Sequence, residues 1–334
     1  MIDIKKNFSL KNYNSLQIDC ISELFIEVKT PEEALSAVTH AKDNNLKFIV
    51  VGGGTNIVFS KQNFKGLVIK NSIKGKKIIA DIVILSSGES WHDSVLWTLK
   101  NNLYGLENLS LIPGTVGAAP VQNIGAYGKD ISEFIEYVKV INLKTLEVEL
   151  LSNSQCEFKY RSSLFKQEVN YMIVEVALKL SYDKSVHTQY KSLSDYMIKK
   201  GMDILNSTPE EVSSCVCEIR KNILPDPRII PNVGSFFKNI TLDDKAFKEL
   251  QNILPTPFNL DKNNNFKVSS AFLIDSAGWK GRINGEVSVS SKHSLVINTS
   301  GIATGNEVIV FANAIIEDIK SKFNVVLEIE PSVI

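Results

Sequence analysis

Hydrophobic and polar positions follow two different periods along this chain, and each change of period marks an element. Apolar side chains alternate as in a strand from Leu24 to Val28. Thr30-Pro31-Glu32-Glu33 then supplies an N-cap, a proline at the first helical position and a capping glutamate, predicting a helix to about Ala41. The β-branched run from Lys47 to Val51 predicts a strand that empties into Gly52-Gly53-Gly54-Thr55-Asn56. Gly66 to Ile69, Lys77 to Leu85, Ile173 to Leu180 and Ser294 to Asn298 read as further strands, and Trp91 to Asn101, behind Ser90, as a helix. Trp91 and Trp97 stand near helical repeat spacing, which points to core packing. Thr208-Pro209-Glu210-Glu211 repeats the capping pattern and opens a helix to about Arg220, which Pro225 and Pro227 cannot extend, so a domain boundary is expected near residue 225. Ser270 to Ala277, before Gly278, predicts a short capped helix. Val308, Phe311, Ala312, Ile315, Ile316 and Ile319 mark the buried face of a longer one. Asn324 to Glu330 reads as an extended strand with Glu328 and Glu330 on one face. Strands and helices in this order make a mixed α+β protein.

Two glycine-rich stretches interrupt the pattern. Leu111 to Gly128, LIPGTVGAAPVQNIGAYG, holds Gly114, Gly117, Gly125 and Gly128 and no charged side chain. Its glycines suit either a tight turn or a cradle for phosphate, where backbone N–H groups approach an anion closely. It has no lysine, which argues against a Walker-type loop. Gly52-Gly53-Gly54 opens like a dinucleotide fingerprint, but the third glycine of that pattern would fall on Ile57, and the Rossmann assignment fails. Thr55 and Asn56 can still direct donors at a phosphate. In FKYRSSLFK, Arg161 is either a surface side chain or a holder of an oxyanion through its fork of donors. Ser235, in GSFFKN, lies in no G-x-S-x-G elbow and beside no histidine, which argues against a hydrolase nucleophile and leaves a turn serine or a proton donor.

Composition narrows the classes. At 334 residues, two or three domains are expected. Lys plus Arg and Asp plus Glu each total 37, so the balanced charge offers no general attraction for nucleic acid or an anionic membrane, and Lys74, Lys76 and Lys77 read as a solvated face. Cys20, Cys156, Cys215 and Cys217 fit no zinc spacing and are expected as reduced thiols, with no metal bound. No apolar run reaches 18 residues and the N-terminus lacks a signal-peptide core, so a cytoplasmic protein without membrane insertion is expected.

The ordered set of Asn14-Ser15-Leu16, VVGGGTNIVFS, GLENLSLIPGTVGAAPVQNIGAYG, YRSSLFK, LPDPRIIPNVGSFFKN, AFLIDSAGWKG and the terminal LEIE resembles the UDP-N-acetylenolpyruvoylglucosamine reductase family over nearly the whole chain. The resemblance implies a two-lobed FAD-binding unit of the vanillyl-alcohol-oxidase (PCMH) type, residues 1–72 and 73–225, and a smaller α/β substrate-binding domain, 226–323. Residues 324–334 would return near the first lobe. It implies non-covalent FAD, since no histidine is near either glycine stretch in sequence, with NADPH as the hydride-donating co-substrate and UDP-N-acetylglucosamine enolpyruvate as substrate. It also suggests a monomer that binds no nucleic acid. Gly52, Gly53, Gly54, Thr55, Asn56, Gly114, Thr115, Gly117, Ala118, Gly125, Ala126 and Arg220 would hold FAD. Ser235 would protonate the substrate, while Arg161 and Glu330, the latter protonated or sharing a proton, would stabilise the enolic intermediate. Tyr127, Tyr160, Tyr190, Lys238 and Asn239 would contact the substrate, and Tyr190, in an insertion at 186–200, suggests the subclass with a tyrosine-bearing loop. Two departures stand out: Ile223 occupies a position where the family often has lysine, leaving Lys221 or Arg228 as substitutes, and Pro331 follows the second glutamate instead of preceding it. A related flavin oxidase of an alcohol or lactone, and a non-catalytic flavin- or nucleotide-binding module, are the competing expectations.

Overall fold

The computed structural model describes residues 3–261 and 264–334. The chain divides into two units, each gathered from separate stretches of sequence. One takes the chain up to Phe8, Ser22–Gly53 and Lys65–Asn222; the other takes Ser9–Ile21, Gly54–Phe64 and Ile223–Ile334.

In the first unit, a four-stranded sheet runs in the order Lys5–Ser9, Ile21–Val28, Asn63–Asn71, Phe48–Val51. The helix Pro31–Asp43 begins as its sequence predicts: Glu33 N donates to Thr30 Oγ1 at 3.2 Å and the Glu33 carboxylate accepts from Lys29 N at 2.6 Å. Its small buried face, Ala34, Ala37, Val38 and Ala41, packs into one core with Ile26, Val28, Leu67 and Ile69. The last two strands of the sheet are parallel, with Val51 opposite Lys70. That register carries Lys70 to the edge of the first glycine stretch.

A second, antiparallel sheet orders Val148–Ser152, Ile135–Asn142, Tyr171–Lys179, Ile82–Ser86 and Lys76–Ile79. The expected single strand from Lys77 to Leu85 is therefore two strands of a hairpin, with Ile79 opposite Ile82. The turn uses Ala80 at φ 52°, left-handed backbone in a residue that gives no turn signal. The helix Trp91–Lys100 packs Trp91 and Val95 into this sheet's core, and Trp91 Nε1 donates to Leu109 O at 2.9 Å. A third cluster joins the helices Lys191–Lys199 and Pro209–Ile223 through Leu193, Met197, Val212 and Val216, with Tyr127 among them.

In the second unit, Asn232–Ser235, Val296–Thr299, Val287–Val289 and Ile283–Asn284 form one antiparallel sheet, and Ile240–Leu242, Phe266–Val268 and Phe258–Leu260 another. The helix Gly305–Phe323 starts at a Thr304–Glu307 capping box and buries Val308, Phe311, Ala312, Ile315 and Ile319, while Ile316 is half-buried. Each large side chain so removed from water contributes roughly 1.5–3 kcal/mol. Residues 325–330 run extended with a bridge from Ile329 to Phe237, and a ladder of Ser332–Val333 beside Ile57–Val58 follows. All four cysteines are free thiols, and burial pushes the Cys156 thiol up to about 12. Among the described residues, no helix is long and apolar enough to cross a membrane.

Candidate active site

The two glycine stretches touch. A Cβ added at Gly52 would lie 2.5 Å from Thr115 Oγ1 and 3.3 Å from the Ala118 side chain, so only glycine fits there. Thr115 Oγ1 is buried and has no hydrogen-bond partner. The backbone N–H groups of Gly53, Gly114 and Thr115 also donate to no acceptor among the described residues. Donors and an orphaned hydroxyl gathered at one glycine contact are what a diphosphate requires, so the fit to FAD is good here. Gly117 has a different part: its N–H donates to Ser87 O at 2.8 Å and a Cβ would strike the Ser87 side chain at 2.5 Å, making it a packing glycine.

The rest of the Leu111–Gly128 stretch is held in unusual backbone. Leu111, Asn123 and Tyr127, none of them glycine, have φ of 56°, 44° and 47°. Each costs on the order of 1 kcal/mol or more and persists because neighbours hold it. Leu111 N donates to His92 Nδ1 at 2.9 Å and Leu111 O accepts from Arg220 Nε at 3.2 Å. Tyr127 O accepts from Asn108 Nδ2 at 2.9 Å, and the same amide donates to His187 O at 2.8 Å. Two histidines thus reach a stretch that has none near it in sequence: His92 at Leu111, and His187 packed where a Cβ on Gly128 would lie 2.5 Å from its Nε2.

Arg161 is brought to the same stretch. Its fork donates to Asn123 O (3.2 Å), Asp130 Oδ1 (3.3 Å) and Gly125 O (2.7 Å), its Cζ sits 5.0 Å from the Tyr160 ring centroid, and its side chain is 17% exposed. The surface alternative therefore does not describe it. A Cβ on Gly125 would displace Asp130 Oδ1, at 1.7 Å, and press on the Lys129 carbonyl at 2.9 Å; Ala126 follows it in a two-residue ladder against Lys129–Asp130. Burial lowers the affinity of Arg220 for its proton, Tyr127 and Cys217 oppose that, and the charge of Arg161 adds to it. Two guanidinium groups within electrostatic reach of one another supply the positive field that the uncharged glycine stretch lacks. The Tyr127 and Tyr190 rings meet edge to face, 5.7 Å between centroids, with Tyr190 half exposed at the start of the helix Lys191–Lys199.

In the second unit, Ser235 ends its strand at an irregularity: the pairing shifts between Asn232 and Ser235, and Gly234 takes φ 72°. Asn232 organises this turn, donating to Pro225 O and Ile230 O and accepting from Gly234 N. The Ser235 hydroxyl donates to no group among the described residues, whereas Phe236 and Phe237 beside it are fully buried. Glu330 N donates to Phe236 O at 2.9 Å, which fixes the Glu330 backbone to the residue that follows Ser235. Glu328 differs from it: its side chain is 70% exposed and paired with Lys238. Asn239 Oδ1 accepts from Ser270 N at 3.2 Å, fixing it to the helix Ser270–Ser276. Gly54, at φ 65°, leaves no room for a Cβ against Tyr13 O (2.0 Å), and its carbonyl accepts from Ser15 N; Thr55 and Asn56 follow, with Asn56 O accepting from Ser332 N. Of the two cations considered as replacements at Ile223, Arg228 is committed to Asp226 through contacts of 2.6 to 3.2 Å.

Sequence reasoning missed Asn108, His92, Asp130 and Lys70. Lys70, His92 and Asn108 act on backbone groups that only the fold brings near, and Asp130, which caps its own turn together with Glu133, meets the Arg161 guanidinium only in the fold. Asn108 lay within a quoted motif, GLENLS, which was the one available signal.

Comparison with known proteins agrees with this geometry. Residues 22–148 match the family model described as FAD binding domain, and residues 226–334 match that of the UDP-N-acetylenolpyruvoylglucosamine reductase C-terminal domain. Proteins named UDP-N-acetylenolpyruvoylglucosamine reductase from Bdellovibrio bacteriovorus and Flavobacterium johnsoniae are 38% and 39% identical over 99% and 100% of both partners, and one from Pseudomonas aeruginosa is 35% identical over 99% of both. The crystal structure of the reductase from Thermus caldophilus shares the fold, with a TM-score of 0.67 at 19% identity over 100% of this chain and 98% of that one. The expected α+β class, an FAD-binding part followed by a separate C-terminal domain, is borne out. On the strength of these full-length relatives, the chain belongs to the UDP-N-acetylenolpyruvoylglucosamine reductase family.

Proposed function

We propose that this chain reduces UDP-N-acetylglucosamine enolpyruvate to UDP-N-acetylmuramate, a step in the synthesis of peptidoglycan precursors, with electrons from NADPH. The observation that carries the proposal is likeness over the full length to reductases of that name. FAD, when bound, supplies the hydride for the β-carbon of the enolpyruvyl ether. Gly52, Gly53, Gly114 and Thr115 hold its diphosphate through the unoccupied donors described above, together with Gly54, Thr55 and Asn56. Gly117, Ala118, Gly125 and Ala126 contribute close packing, and Arg220 contributes charge.

The protein's own task is to manage the charge that hydride addition leaves on the substrate. Negative charge develops at the α-carbon and spreads into the adjoining carboxylate, so a cation and a proton are needed. Arg161 presents a guanidinium whose orientation is fixed by three acceptors and is therefore preorganised for that charge. Ser235 gives its proton to the α-carbon; its hydroxyl donates to no group among the described residues. Glu330 stabilises the same enolic species. The exposure of Glu328, against the half-buried Glu330, supports choosing Glu330. Tyr127, Tyr160, Tyr190, Lys238 and Asn239 take the sugar nucleotide.

The test is anaerobic. NADPH should bleach the bound flavin, and the enolpyruvyl sugar nucleotide should then restore its absorbance; no restoration would reject the substrate. With Ser235→Ala, bleaching should proceed at the wild-type rate and restoration should slow by about a hundredfold or more. Equal slowing of both half-reactions would remove Ser235 from the acid role.

A further inference from the structure

The glycine stretches contain no lysine, yet one ammonium reaches them from another strand. Lys70 stands opposite Val51 in the parallel pairing of Phe48–Val51 with Asn63–Asn71, one residue before the turn. Its Nζ donates to Gly52 O at 2.8 Å and, more weakly, to Asn71 O at 3.4 Å. No carboxylate among the described residues pairs with it, although Glu27 is near enough to favour its charged form against the effect of burial. A half-buried ammonium without an ion-pair partner is costly in the free protein, and it persists most readily where an anion arrives to use it.

The Gly52 carbonyl and the Gly53 N–H are two ends of one planar, conjugated peptide group. A cation at the oxygen withdraws density across the group and makes the N–H a stronger donor. That N–H is among those with no acceptor among the described residues. We infer that Lys70 is a positioning residue for the cofactor, whose ammonium polarises the Gly52–Gly53 peptide toward a diphosphate from behind the turn. This rests on the reading that Gly52 and Gly53 face the diphosphate of FAD. Lys70 stands in for the missing loop lysine without touching the ligand.

The experiment uses the full-length protein stripped of flavin, titrated with FAD and with riboflavin, which carries no phosphate. Wild-type protein should bind FAD far more tightly than riboflavin. Lys70→Met should weaken FAD by at least about tenfold, leave riboflavin unchanged, and leave the thermal midpoint of the flavin-free protein equal or raised. Lys70→Arg should keep FAD affinity within about threefold of wild type. Lys70→Gln, which can still donate to the Gly52 carbonyl without a charge, should reproduce the methionine result and serves if that variant does not fold. If the wild-type protein binds both flavins alike, the diphosphate cradle itself is wrong. If it discriminates, and the neutral variants either keep that discrimination or lose both ligands equally, the cradle stands and the role of Lys70 is overturned.

Discussion

Arg161 adopts φ 50°, a conformation costly for any residue with a Cβ, and every donor it directs at Asn123, Gly125 and Asp130 depends on that backbone. Lysine at this position could keep the charge but not the fork. Arg161→Lys should slow flavin reoxidation by the enolpyruvyl substrate by about tenfold or more while flavin reduction by NADPH is unaffected, measured by stopped-flow absorbance; a wild-type second half-reaction would remove the guanidinium from the chemistry. Gly54 makes a sharper prediction because two independent obstacles meet there, positive φ and the Tyr13 carbonyl. Gly54→Ala should lower stability by at least about 2 kcal/mol in denaturant titration. Residues of this kind were partly legible. Gly54 and Arg161 were selected by motif, but nothing local announces that Leu111, Asn123 and Tyr127 would share the left-handed region, since the hydrogen bonds that hold them come from His92, Ser132 and Asn108.

Elements that end in capping patterns were legible because their signals are local. Both Thr-Pro-Glu-Glu sequences start helices, and at the second Glu211 Oε2 accepts from Thr208 N while Thr208 Oγ1 accepts from Glu211 N. The hairpin Lys76–Ser86 was not legible, because its Ala80-Asp81 turn has no glycine or asparagine and Asp81 alone interrupts the apolar positions from Ile78 to Leu85. The segment carrying Tyr190 depends on a contact of the same hidden kind. Asn108 links it to the glycine stretch by donating to both Tyr127 O and His187 O. Asn108→Ala leaves two carbonyls without donors at a cost of roughly 1–3 kcal/mol each. Amide hydrogen exchange should accelerate over residues 181–200, and KM for the sugar nucleotide should rise more than kcat falls. Unchanged exchange there would show that Asn108 does not anchor the segment.

Titration is a property of the whole molecule. His92 and His187 are both held below the usual histidine range, chiefly by burial. The folded state therefore binds fewer protons than the unfolded state as pH falls below 6.5, and stability is full above that value and declines beneath it. The slope should not exceed about 1.4 kcal/mol per pH unit for each histidine. Carboxylates such as Asp226 and Asp318, lowered by their Arg228 and Lys322 partners, lose their contribution only below about 4, so the two ranges separate in a pH series of denaturant titrations. His92→Asn, which keeps an acceptor for Leu111 N, should flatten the upper range; an unaltered profile would assign it elsewhere.

The division of the chain into interleaved segments also sets a schedule for its synthesis. Ser9–Ile21 and Gly54–Phe64 leave the ribosome early, yet their partners in the second unit begin at Ile223. Asn232 bonds to Ser15 O, Thr299 to Leu16 O, and Ser332 to Asn56 O. Between Phe64 and Ile223 lie about 160 residues, roughly ten seconds or more of translation, during which Leu16, Ile18, Val58 and Phe59 have no core to enter. A nascent chain paused before Ile223 would carry these apolar segments uncovered, and that is the interval in which a chaperone has something to hold.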